Sequence, residues 1–260
     1  IKATIKKGIL FLFLFLALNT QAVFAQIGIL SVNTTADNSN TLKTVDNYSQ
    51  LWQDIIYAFN HINVKYSVFT DKDLNKISVK NINVLVLPLA VNFSQETMTK
   101  IQEFVGDGGK IIVIFPDNNV SLTSQKLGET VGVFLGLPQK ITNQTQLTMT
   151  NGEKIPENYF PDFTKVAKIE LGPTARAFAL WSESEENPVA VSISSTGSYV
   201  AWKWGDEGSI DFNTSLMRSL ISSLSPGTIE KEQTSINSDD FQKKISDIRQ
   251  IRKNTDEFIK

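Results

Sequence analysis

Carboxylates, amides and indoles are the side chains of this 260-residue sequence that could do chemistry, because sharper reagents are missing. There is no cysteine, and the one histidine is His61. That excludes disulfides, thiolate metal sites, a cysteine nucleophile, a lipid-modified cysteine and any multi-histidine metal centre. Neither a metal nor a cofactor is expected. Glu183, Glu185 and Glu186 are of the type that glycoside hydrolysis uses in pairs. They stand in WSESEENP beside the turn signal Asn187-Pro188, a context that fits a solvated hairpin tip. Asp206 and Glu207 follow Trp204-Gly205. Trp202 and Trp204, two apart on one strand, would share a face with Val200. Flat indoles can stack on sugar rings. They can equally fill a sheet face against a helix, and packing is the preferred reading.

The remaining candidates are weaker. Ser121 and the other serines have no GxSxG context. GDGG at 106–109 follows a helical pattern and opens a strand. Phosphate loops do the reverse, so a helix cap and tight turn is expected here. His61 ends a helical pattern, where it should bond water or a carbonyl.

The elements that must position these groups centre on Asn83–Asp117. Two apolar runs, Val84–Val91 and Ile111–Phe115, suit strands buried on both faces of a parallel sheet. Between them Ser94 offers an N-cap, Met98, Ile101, Phe104 and Val105 recur at helical spacing, and glycines close the helix. That is a βαβ unit. Before it come a strand at Gln26–Val32, a helix from Asn47 with a capping box to Gln50, a strand at Val64–Thr70 and a short polar turn at Asp71–Lys80. After it, Ser124–Leu135 reads as a helix with Phe134 inward, and Lys140–Thr150 as a polar hairpin. Ile155–Phe163 reads as loop. Strands follow at Lys168–Leu171, Ala175–Trp181, Pro188–Ser194 and Tyr199–Trp204, then a helix at Thr214–Leu224 stopped by Pro226-Gly227.

The pattern predicts an α/β fold: a doubly wound, mainly parallel sheet flanked by helices in three layers, with an added antiparallel β region. In such a sheet a ligand sits at the carboxyl ends of the strands. Those ends carry Asn33, Asn92, Asp117, Asn118, Trp204 and Asp206. Asn92, Asp117, Asn118, Trp204 and Asp206 are the candidate ligand residues, with groups suited to hydroxyls. No base poised near neutral pH stands among them, and no catalytic residue is assigned.

Net charge is −2 overall, and −5 without Lys2, Lys6 and Lys7. Nothing in it suggests a nucleic-acid surface. Residues 1–25 read as a signal peptide: three lysines, the apolar run Ile9–Leu18, and a cleavage pattern at Val23-Phe24-Ala25. The mature chain would begin at Gln26, exported, with no stable membrane span left. Residues 226–260 read as a linker and an amphipathic helix leading to a missing downstream domain.

Four stretches carry a family resemblance: VLVLPLAV, a helix ending in GDGGKIIVIF, LGETVGVFLGL, and GSYVAWKWGDEG before a helix. Over about residues 26–225 the chain resembles the class I glutamine amidotransferase-like superfamily. It is similar in particular to the module preceding the barrel in secreted family-10-like glycosylhydrolase proteins. In active members the nucleophilic cysteine sits on the turn after the strand that follows the paired glycines. Here that turn holds Phe115, Pro116 and Asp117, and no thiol exists to replace it. The resemblance therefore implies the fold without the amidotransferase or protease chemistry, which also needs an oriented base. The expectation is a non-catalytic accessory domain of a glycosylhydrolase-like protein, partnered by carbohydrate and a downstream catalytic domain. The alternatives are a free-standing exported hydrolase using Asp117, Asp206 or Glu207, and a periplasmic binding or scaffold domain.

The tail generates a test. Phe241, Ile245, Ile248 and Ile251 form a narrow stripe among seven acidic and seven basic residues from Thr228 to Lys260. A helix with so thin a stripe is marginal alone in water, so it should dock on a following domain or on a second copy of itself. Replacing Ile245 and Ile248 by Ser should leave the thermal melting of residues 26–225 unchanged. A drop of many degrees would place the stripe in the domain core.

Overall fold

The structure is a computed structural model, described here over residues 27–31, 45–88, 93–115, 120–141, 145–152, 164–182, 188–204 and 210–229. Its centre is the βαβ unit. Strand β3 (Val84–Leu87) and strand β4 (Lys110–Ile114) pair in parallel, Leu85 opposite Ile111. All four residues of β3, and Ile111–Ile114 of β4, are buried. Their continuous apolar runs have no solvent side, as a sheet covered on both faces requires. Helix α2 (Gln95–Gly106) joins them. Ser94 Oγ accepts from the Thr97 amide at 3.1 Å, satisfying one of the amides a helix start leaves open. At its end Gly108 takes φ +98°. Gly109 has no room for a side chain, because an added Cβ would enter the Phe104 ring. GDGG is thus a helix cap, as the sequence order implied.

The main sheet has eight strands in the order β2-β1-β3-β4-β10-β9-β8-β6. Its first half is parallel: β1 (Ile27–Leu30) lies between β2 (Tyr66–Phe69) and β3, and β10 (Gly197–Val200) pairs with β4. Its second half is antiparallel: β10 with β9 (Val189–Ser194), β9 with β8 (Ala175–Trp181), and β8 with β6 (Leu147–Met149). A second sheet pairs β5 (Val133–Ile141) with β7 (Thr164–Leu171), antiparallel. Helix α1 (Val45–His61) follows β1 and packs on helix α4 (Ile210–Leu224), and helix α3 (Leu122–Thr130) follows β4 and packs on β5. An α/β fold with a mostly parallel sheet and an added antiparallel pair is therefore present.

Several boundaries differ from the periodicity reading. Helix α1 begins at Val45, so Asn47 is inside it rather than capping it. Helix α3 stops at Thr130, and Gly132 at φ +81° turns the chain into β5. Phe134 and Leu135 thus belong to a strand, and Phe134 is 55% exposed instead of inward. The reason is physical: an apolar run of this length fits helix or strand, and the left-handed glycine decides. Lys140–Thr150 is not a hairpin either. Lys140 and Ile141 end β5 against β7, whereas Leu147–Met149 is an edge strand of the main sheet. Helix α4 starts at Ile210, four residues early, and Gly227 follows it at φ +89°. Residues 1–26, 153–163 and 230–260, with the signal, loop and tail readings, lie outside the described residues.

The join between β9 and β10 is the tightest point. Thr196 Oγ1 donates to the Thr130 carbonyl at 2.7 Å, and the Ile111 amide donates to the Thr196 carbonyl at 3.0 Å. Gly197, at φ +155°, lies so close to Ile111 that an added Cβ would overlap the Ile111 carbonyl oxygen. Gly227→Ala, at a positive φ with nothing within 4 Å, should cost about 1 kcal/mol, the left-handed penalty alone. Gly197→Ala adds a backbone collision and should cost about 3 kcal/mol. Urea denaturation of the two variants checks this, and equal losses would contradict the close approach.

Candidate functional site at the carboxyl edge of the sheet

Strands β3, β4 and β10 are parallel neighbours ending at Leu87, Ile114 and Val200, so their carboxyl ends share one sheet edge. The Phe115 amide donates to the Val200 carbonyl at 2.9 Å, which extends the β4–β10 ladder to that edge. This is where an open α/β sheet binds ligands. Residues 89–92, 116–119 and 205–209, which follow these strands in sequence, lie outside the described residues. Asn92, Asp117, Asn118, Asp206 and Glu207 lie in those segments, and Glu183, Glu185 and Glu186 in the equally undescribed 183–187.

Trp204 is described. It is 1% exposed, as is Trp202. Neither offers an open ring face to solvent, which favours the packing alternative over a stacking platform. Strand β10 ends at Val200 and the backbone bends at Ala201-Trp202, so simple strand alternation does not govern their directions. The Trp202 ring lies 5.6 Å from Trp181 edge-on and 5.9 Å from Phe212. Its Nε1 donates to Asn213 Oδ1 at 3.3 Å. Trp202 therefore ties the sheet edge to the first turn of α4. Trp204 Nε1 is buried without a hydrogen-bond partner among the described residues. The sequence reading missed Asn213 and Phe212. The signal was available: Asn213 stands three and seven residues before Leu216 and Leu220 on the inward stripe of α4, and a buried amide needs a partner.

The hydroxyls at this edge are engaged in structure. Ser121 caps α3, its Oγ accepting from the Ser124 amide at 3.1 Å and pairing with Ser124 Oγ at 2.9 Å. Tyr199 is fully buried with its hydroxyl toward Ser124 but without a well-formed hydrogen bond. Burial pushes its phenol above the ordinary range, and the Ser124 hydroxyl opposes that weakly. His61 ends α1, stacked on Tyr57 at 3.7 Å, with Nδ1 donating to the Tyr57 carbonyl at 2.8 Å. The single histidine is thus a helix-end residue bonded to a carbonyl. Burial, helped by the Asp211 charge, pushes the Tyr57 phenol up to about 12. Asp73, held down to about 2 by Lys76 and then Thr70, caps the exposed turn Asp71–Lys76 and is structural.

Among the described residues, no cluster of three or more acidic or histidine side chains could hold a metal. No described helix is long and apolar enough to cross a membrane.

No family model matches the chain, and no curated protein matches it in sequence. Solved structures do match in fold. Alpha-L-fucosidase isoenzyme 2 from Paenibacillus thiaminolyticus aligns with a TM-score of 0.60 at 14% identity, over 79% of this chain and 33% of that one. A putative ThuA-like protein from Bacteroides uniformis gives 0.57 at 11% identity, over 82% of this chain and 94% of that one. A beta-galactosidase from Bacillus circulans sp. alkalophilus gives 0.52 at 12% identity, over 77% and 31%. The chain thus spans about a third of the two glycosidases. At these identities the likeness is one of fold.

The tryptophans provide a test. Trp202→Phe removes a ring edge and the bond to Asn213 Oδ1, while Trp204→Phe removes a similar volume and a donor with no hydrogen-bond partner among the described residues. Trp202→Phe should therefore cost about 1 kcal/mol more than Trp204→Phe. Denaturant midpoints of the two variants measure the difference; a greater loss for Trp204→Phe would mean its indole N–H is bonded.

Proposed function

We propose that this chain is a non-catalytic accessory domain of an exported glycoside-processing protein. One observation carries the reading: the same fold occupies about a third of a fucosidase and of a beta-galactosidase. The chemistry of the chain supports it. An amidotransferase-like fold without any cysteine cannot run thiol catalysis, and its only histidine is occupied at a helix end. In this reading the domain is three-layered and flavodoxin-like, which the packing of Trp202 on α4 and of Tyr199 beside α3 supports. The N-terminal 25 residues direct export, the stripe from Phe241 to Ile251 leads to a catalytic domain, and any sugar contacts come from Asn92, Asp117, Asn118, Trp204 and Asp206.

A second reading has its own support. The ThuA-like structure is matched over nearly its whole length, so the fold also stands alone. A free-standing hydrolase would then use Asp117, Asp206 or Glu207. Assay of the purified chain on 4-nitrophenyl α-L-fucopyranoside and β-D-galactopyranoside separates the two. The accessory reading expects no turnover above buffer. Turnover abolished by Asp206→Asn or Asp117→Asn, with melting unchanged, would overturn it. Mass spectrometry of the secreted protein should find Gln26 at its N-terminus.

A further inference from the structure

Asn151-Gly152 is the one Asn-Gly step in the chain. Both residues are exposed, in the turn that leaves β6, the edge strand of the main sheet. The Gly152 amide donates to the Met149 carbonyl at 3.2 Å, closing a four-residue turn, and Gly152 takes φ +76°. An added Cβ at Gly152 would meet nothing within 4 Å, so the backbone there is open to its surroundings. Every other asparagine is followed by a residue with a side chain; among the exposed ones Asn63 precedes Val64, Asn75 precedes Lys76 and Asn81 precedes Ile82. A side chain in that place shields the following amide and narrows its backbone freedom, and glycine does neither.

We propose that Asn151 is a site of spontaneous deamidation, through a cyclic imide to aspartate and isoaspartate. The Gly152 amide nitrogen attacks Asn151 Cγ. The N–Cγ bond forms, the Cγ–Nδ2 bond breaks, and the amide proton leaves with the side-chain nitrogen as ammonia. Water then opens the imide: addition at Cγ gives aspartate, and addition at the main-chain carbonyl gives isoaspartate. The attacking nitrogen must first release the Met149 carbonyl. That opening costs little, because the turn ends a three-residue strand at the sheet's edge. Isoaspartate places an extra methylene in the main chain, in a turn whose length sets how Thr150 meets β8. The Thr150 amide and hydroxyl both donate to the Phe178 carbonyl, at 3.0 and 3.1 Å. The modification therefore adds a negative charge and loosens β6, leaving β8 as the edge of the main sheet.

Ageing the full chain in warm, mildly alkaline buffer, with tryptic mapping and isoaspartate detection at intervals, tests this. Asn151 should be lost about tenfold faster than Asn63, Asn75 or Asn81, and Gly152→Ala should slow its loss about tenfold. Hydrogen exchange of the aged protein should rise over Leu147–Thr150 and stay unchanged in β3 and β4. Loss of Asn151 no faster than that of the other three, a Gly152→Ala variant reacting at the wild-type rate, or unaltered exchange over Leu147–Thr150 once isoaspartate has formed would each overturn the proposal.

Discussion

The β4–β10 ladder is the contact on which the rest of the molecule depends. Strand β10 pairs in parallel with β4 on one side and antiparallel with β9 on the other. It is the seam between the two halves of the sheet, which otherwise follow different rules. Parallel strands need crossovers, and α1 and α2 supply them. Antiparallel strands need only tight turns, such as Ser194–Gly197. The seam closes because Gly197 lets two backbones approach to a distance no Cβ would permit. That approach also fixes the carboxyl edge, since it brings Val200 level with Ile114 and the bend at Trp202 above them.

At that edge and elsewhere, side chains with chemical potential are spent on holding the fold. Serines that might have been nucleophiles cap a helix. The histidine that might have been a base stacks on a tyrosine and bonds a carbonyl. A tryptophan that might have been a sugar platform is buried against another tryptophan and a phenylalanine. Each use lowers free energy in the folded chain and removes the group from solution chemistry. The perturbed phenols follow the same logic: burial shifts Tyr57 and Tyr199 upward.

The β5–β7 sheet shows the opposite economy. Its inner face is committed to the core through Val133, Val166 and Ile169, while its outer face leaves Phe134 and Leu137 in solvent. The bulge between Gly136 and Gln139 is what turns Leu137 outward. A strand with one satisfied face and one apolar unsatisfied face is stable, but it raises the question of what else it touches.

The sequence alone determined the central unit and its consequences. Continuous Val and Ile runs around a capped helix allow little except β3-α2-β4, because no other arrangement hides both faces of both strands. Composition alone also removed thiol chemistry. The sheet's carboxyl edge was legible as a place, whereas the depth of Trp204 beside it was not. What only tertiary structure decided was long-range: that Val133–Ile141 leaves the helix to pair with β7, that Leu147–Met149 crosses to the main sheet, and that Asn213 reaches Trp202. Local periodicity cannot separate a short apolar helix from a strand. The choice is made by partners tens of residues away, through hydrogen bonds and burial that exist only once the chain has folded.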